Sequence, residues 1–418
     1  MRKRGFPVNR GSRAGSNTFK SAETQRPPNY IAVSVLIFAN LVMTVSQVNT
    51  ASVYSFIAET YNRSIYGLGV VTAAFFLAYG GFEVPGGTLA AKFGPKRLAV
   101  VGTLINSASV AASAAAPTFT SFVIFRFLAG MGLSFSFPSI LVLVVRNFKE
   151  GSEGLGASLM YASAGIGMIL GFAPWVLLSE AVGWRVGFLI GGLLGLGAAC
   201  GVYLFVPSDP MDERFRVGLA HLRSVIMDRR LAALAIALLG FGALLGVASD
   251  FTTYYLETQL HLNPTAASGV SEIGILLTIL SSPITGRIFD RMRRPRVLLM
   301  ISSCVTAFGV WLIGSMSVTA TVAGVAITGL GAGVSAVGLI ITREIASEHP
   351  EYESLTLAWV DSFTLYSGFV APVYFSAFTV AFGYTAAWHL SAIIGFALTL
   401  PVLTMHGINA SRIKRRSL

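Results

Sequence analysis

The residues with the most chemical potential in this chain are charges set where charges are costly. Arg126 lies about seven residues into an apolar run at 119–145, and Glu83, Asp250, Glu272 and Asp361 lie inside four other such runs. A charged side chain at the centre of a bilayer costs about 2.5–3.5 kcal/mol on insertion scales, so each one needs a partner or a task. Arg126 offers a forked donor suited to the carboxylate of a bound anion; the alternative is a structural pairing with a neighbouring acid or with helix carbonyls. Tyr79 stands four residues before Glu83, and Tyr254 four residues after Asp250, so each pair shares a helical face. A carboxyl group removed from water can carry a proton, which makes Glu83, Asp250, Asp361 and Glu272 candidates for proton coupling. In the first run Asn40, Thr44, Gln47 and Tyr54 recur along one helical face. That polar stripe reads either as a wall for a bound solute or as hydrogen bonds between helices.

Other chemistry is missing. The five histidines are scattered, and no zinc-protease motif, phosphate-binding loop or nucleophile elbow is present. Cys200 and Cys304 both fall inside apolar runs and read as small packing residues rather than as a disulfide or metal pair. The chain therefore does not read as an enzyme, and no cofactor or metal is expected. Without a nucleotide site, energy must come from an ion gradient, with protons favoured by the buried acids, or from the solute's own gradient.

The elements that position these residues follow from composition. Of 418 residues 54% are hydrophobic and 12% charged, about half the charge of a typical soluble domain. Runs long enough to span a bilayer recur twelve times, six within 31–206 and six within 231–408. The expected fold is an all-α polytopic membrane protein with twelve transmembrane helices in two pseudo-symmetric six-helix bundles. A basic tail (1–30), a charged linker (207–230) and a second basic tail (409–418) complete the organisation. The net charge of +11 is topological: of the 30 Lys and Arg residues, only Arg63, Arg126 and Arg185 lie outside the tails and the loops on one side. By the positive-inside rule that side is cytoplasmic, and both termini lie there. The expected partners are a small-molecule solute and the lipid bilayer, with no nucleic acid, the chain acts as a monomer, and the expected location is the plasma membrane.

The two halves repeat each other. Gly87 begins GTLAAKFGPKR and Gly286 begins GRIFDRMRRPR, an offset of 199 (286 − 87). Gly130, Gly132 and Ser136 match Gly329, Gly331 and Ser335 at the same offset, and Gly183-Trp184 matches Gly383-Tyr384 one residue further on. Through these motifs the sequence resembles the major facilitator superfamily along nearly its whole length. The loop signature is carried by Gly87, Leu89, Ala90, Gly94, Lys96 and Arg97, with Ala91 where the family has Asp. The second copy keeps that acid in Gly286, Asp290, Arg291 and Arg294. Arg126-x-x-x-Gly130-x-Gly132 resembles a second family signature and Gly183-Trp184-Arg185 a third. The resemblance implies alternating access, with these loops as conformational elements and the first, fourth, seventh and tenth spans lining a central cavity. On that basis Arg126, Tyr79, Asn40, Thr44, Gln47, Tyr54, Asp250 and Tyr254 are expected to bind substrate, and the implied function is secondary transport of a small organic anion with protons. Proton-driven efflux of amphipathic or cationic compounds and a non-transporting membrane sensor are the alternatives.

Overall fold

The structure is a computed structural model describing residues 29–148, 153–208, 224–292, 294–333, 335–346 and 353–405. The two basic tails and most of the charged 207–230 linker lie outside the described residues. All regular structure among the described residues is helical.

Nine of the twelve expected spans are single helices: Ile65–Phe93, Pro95–Ala114, Phe119–Asn147, Trp184–Phe205, Arg229–Thr258, Pro264–Met292, Pro295–Ile313, Glu353–Phe382 and Tyr384–Thr399. The other three are interrupted. The first span runs over Tyr30–Ser52 and Tyr54–Tyr61; the fifth runs over Glu153–Leu170 and Ala173–Val182, bent by 43°; the tenth runs over Val318–Ala332 and Ser335–Ala346. The break in the fifth span follows its sequence. Gly171 carries no side chain to hold the turn, and Pro174 has no N–H to donate back across it.

Spans joined by almost no loop are closed by local chemistry. Thr118 and Ser121 form a reciprocal capping box at the start of the fourth span, immediately after Pro117. At the equivalent turn of the second half, the Met316 N–H donates to the Tyr255 hydroxyl at 3.1 Å.

The internal repeat is also a repeat of contacts. A Cβ placed on Gly130 would stand 2.0 Å from the Phe75 carbonyl oxygen, and one on Gly329 would stand 2.3 Å from the Gly274 carbonyl oxygen. Phe75 and Gly274 are themselves separated by the repeat offset, so second-on-fourth packing is copied as eighth-on-tenth. Gly183 and Gly383 both adopt left-handed φ, 87° and 83°, where the sixth and twelfth spans begin.

One expectation needs correction. Gly87 and Gly286 do not open loops: each lies inside a helix, in the spans ending at Phe93 and Met292, with open space around it. The first turn is made instead by Gly94, whose φ is +89°.

The halves meet along three seams, of which the fifth span on the eighth, with Gly165 against Ile279, is one. The second and eleventh spans pack closely, with Gly69 against Pro372 and Ser376, Gly80 against Leu365, and Gly368 against the Phe76 ring. The first and seventh spans meet near the face opposite the termini, where the Tyr54 ring lies 5.8 Å from Phe251 and 6.4 Å from Tyr254.

Candidate functional site

The expected site residues separate into three groups at different depths. The first is a plug below the face opposite the termini. Arg126 is 1% exposed, its Nη1 donates to the Ser46 carbonyl at 2.9 Å, and its guanidinium lies 4.6 Å from the centre of the Phe75 ring. Its Nε has no partner. Tyr54 is hydrogen-bonded to Thr72 and stands within electrostatic reach of both Arg126 and Asp250. Asp250, from the other half, is 9% exposed with Oδ2 unpartnered. A cation, a phenol and an acid thus follow one another across the seam, with Tyr254 flanking them. Arg126 is sealed from the cavity, so in this state it does not reach a substrate anion; of the two readings left open, the structural one fits the geometry.

The second group lies toward the termini. Glu83 of the second span and Asp361 of the eleventh bring their carboxyls within hydrogen-bonding reach of each other across the seam. Ionised carboxylates only accept hydrogen bonds, so a direct bond between these two forms only when one of them carries a proton. The Ser362 hydroxyl makes a long contact of 3.5 Å with Glu83 Oε2. Tyr79, one turn from Glu83, is within electrostatic reach of Glu83, Asp361 and Tyr161. Tyr161 of the fifth span is in turn within reach of Asp361 and of Arg343 on the tenth span. Tyr161 is 56% exposed, and Asp361 and Arg343 are exposed as well. Side chains from four spans and both halves therefore lie within electrostatic reach of one another toward the termini, three of them exposed to accessible space. The sequence reading missed Tyr161 and Arg343. The apolar run of the tenth span closes at Ile341, which places Arg343 among the loop charges, whereas the helix continues to Ala346.

Farther from the termini is a chamber of about 270 Å³ between the fifth, seventh, eighth and tenth spans. Its walls include Met168, Phe172, Leu245, Ile275, Ile279 and Val325, and no charged side chain lines it. Two of its four hydroxyls are engaged already: Thr278 donates to the Gly274 carbonyl at 2.9 Å, and Ser271 pairs with Thr253 at 2.8 Å, while the Thr328 hydroxyl is buried against Gly309 without a partner and Ser249 completes the set. A second cavity of about 220 Å³ shares Leu245 with the chamber and reaches Asp361.

Glu272 makes the third group. Its Oε1 accepts from the Ala173 N–H at 2.8 Å. This carboxylate of the second half caps the helix that restarts after the break in the fifth span, in the first half. Glu180 and Thr265 add a second bond between the same two spans, the Thr265 hydroxyl donating at 2.9 Å.

The remaining expectations are partly revised. The Asn40 amide donates to the Met160 carbonyl at 3.0 Å and to the Ser163 hydroxyl at 2.9 Å, and Thr44 donates to the Asn40 carbonyl at 2.9 Å. Both are buried, so that end of the polar stripe fastens the first span to the fifth rather than facing solute. Gln47 is half-buried, between those residues and the Tyr54 plug. Among the loop residues, Lys96 lies over the Tyr203 ring of its own half, while Arg97, Arg291 and Arg294 are exposed. The side chain of Asp290 lies outside the described part of the structure.

Comparison with known proteins places this geometry in context. A family model described as Major Facilitator Superfamily matches residues 36–342 and 255–415. A probable sulfoacetate transporter of Cupriavidus necator is 24% identical over 196 residues, 47% of this chain and 45% of that one. A niacin transporter of Acinetobacter baylyi is 31% identical over 140 residues, 32% and 31% of the two chains. A probable L-galactonate transporter of Escherichia coli is 23% identical over 276 residues, 62% and 61%. In each case the match spans less than two thirds of the relative's length. A crystal structure of a nucleoside transporter aligns with a TM-score of 0.76 at 13% identity, covering 90% of this chain and 99% of that one, and so shares the fold.

Proposed function

Since the chain belongs to the Major Facilitator Superfamily, we propose that it carries a small organic anion across the membrane together with protons, by alternating access. The observation that carries this reading is the Glu83–Asp361 pair. Two acids on opposite halves share a seam beside the accessible space, so their protonation and the separation of the halves are coupled physically. With one proton between them the seam is held; with none, two adjacent negative charges repel and favour parting. The Tyr54 plug closes the face opposite the termini, so the described state is open toward the termini, which we assign to the cytoplasm of a plasma-membrane protein. The reading of the substrate as an anion is supported by the exposed Arg343 within electrostatic reach of Tyr161 and by the names of three matched relatives, which mention sulfoacetate, niacin and L-galactonate.

The apolar chamber favours a second reading, proton-driven efflux of amphipathic or cationic compounds. A thermal-shift screen of the purified protein separates the two, because a ligand that binds the folded state raises its apparent stability. The anion reading expects a shift with at least one of benzoate, isethionate and gluconate and none with tetraphenylphosphonium. A shift with tetraphenylphosphonium alone selects the efflux reading.

A further inference from the structure

The cavity has two chemically different ends, and they lie along one helix face. Met168 of the fifth span lines the apolar chamber, and Gly165 packs against Ile279 of its wall. Tyr161 stands four residues before Gly165 and seven before Met168, hence on the same face, about 10 Å nearer the termini at 1.5 Å per residue. There it lies within electrostatic reach of Arg343 of the opposite half, whose neighbour Thr342 lines the second cavity, the one that shares Leu245 with the chamber. Arg343 is exposed, and among the described residues no carboxylate is shown within ion-pair distance of it, which leaves its guanidinium donors open to a ligand. The only other deeply placed cation described, Arg126, is committed to Ser46 and Phe75 and is 1% exposed.

We propose that the chamber and Arg343 form one two-part site for an amphiphilic monoanion, whose apolar body fills the chamber while its carboxylate or sulfonate is held by Arg343 and the Tyr161 hydroxyl. This rests on the reading of the protein as an anion transporter and narrows it. A polyhydroxylated acid of equal charge is disfavoured, because the Thr278 and Ser271 hydroxyls are already paired and the Thr328 hydroxyl is turned against Gly309, so most sugar hydroxyls placed there lose water without gaining a partner. A ring or a short alkyl chain gains from the same walls by leaving water. Tyr161, 56% exposed and unshielded by its own half, is the group that closes on the ligand from across the seam when the cavity shuts.

The test is binding of benzoate, gluconate and uncharged benzamide to the purified full chain by isothermal titration calorimetry. The proposal expects benzoate to bind, gluconate not to bind at the same concentrations, and benzamide to bind at least about tenfold more weakly than benzoate for want of the charge-assisted pair. Arg343→Gln is expected to weaken benzoate about tenfold or more and Arg343→Lys less, each with an unchanged unfolding midpoint of the ligand-free protein, since the side chain is exposed. Ser249→Phe, which fills the chamber, is expected to abolish benzoate binding; if that variant does not fold, the Arg343 variants still decide. Gluconate binding in preference to benzoate, or benzoate affinity indifferent to Arg343→Gln, overturns the two-part site while leaving anion transport standing. Benzamide binding as tightly as benzoate, with no anion preferred, overturns both. Failure of all three probes to bind overturns the two-part site.

Discussion

Arg126 shows what one buried charge does when it has no acid beside it. Its guanidinium is divided between a backbone carbonyl of the first span and an aromatic face of the second, and Tyr54 sits in its field. It therefore ties three spans of one half together under the plug. Arg126→Leu is expected to cost about 1.5–3 kcal/mol, the worth of a hydrogen bond to a charged group. The loss should appear as a lower unfolding midpoint and less folded protein, with the KM of the remaining folded fraction unchanged. A raised KM at normal stability contradicts this and restores Arg126 as a substrate ligand. How much of this was legible at the residue level depended on direction. That Glu83, Asp250, Glu272 and Asp361 are candidates followed from charge in apolar runs, which needs no structure. Where Arg126 points, and that Asn40 and Thr44 turn inward to the fifth span, depends on helix rotation, and spacing alone leaves that free. Arg343 was misjudged for a related reason: a charge two residues past the last apolar residue looks like a loop, yet helix geometry carries it back over the cavity.

At the scale of elements, the repeat was readable because its glycines are held by contact. Gly130 and Gly329 sit where two backbones touch, and a Cβ at either would collide with a carbonyl oxygen. Gly130→Ala and Gly329→Ala should each force the paired helices apart and cost about 1–3 kcal/mol, as overpacking does, read as a fall in the unfolding midpoint. Gly87→Ala and Gly286→Ala have open space and should leave that midpoint within error; equal damage from all four contradicts the contact account. The breaks in the fifth and tenth spans were not read from sequence, because a continuous apolar run does not reveal where its hydrogen bonds stop. The fifth-span break gives Glu272 its role, since a carboxylate on a helix N-terminus is favourable and here joins the two halves. Glu272→Leu should loosen the face opposite the termini. With Cys200 and Cys304 replaced by Ser, a cysteine at position 47, beneath the plug, should react severalfold faster with an impermeant maleimide from outside in Glu272→Leu than in the parent. Equal rates remove Glu272 from the gate.

For the whole molecule, the twelve spans and their two halves were legible in the sequence, because bilayer thickness and the internal repeat constrain them directly; the orientation is proposed from loop charge. What the sequence withheld was which buried acids meet. Glu83 and Asp361 are far apart in the chain and belong to different halves, and only the packing of the second span on the eleventh joins them. The account makes that meeting the point where proton movement and the opening of the halves are one event. A coupling acid is needed for gradient-driven accumulation but not for counterflow, which moves no net protons; a merely structural acid supports both or neither. The decisive measurement is both assays side by side in reconstituted vesicles, on Glu83→Gln and Asp361→Asn, with an anion identified by the thermal-shift screen. The account predicts that each variant loses accumulation driven by an inward proton gradient, by at least about tenfold, while counterflow stays within about twofold of the parent. Accumulation in both variants at the parent's rate and with the parent's pH dependence would contradict it.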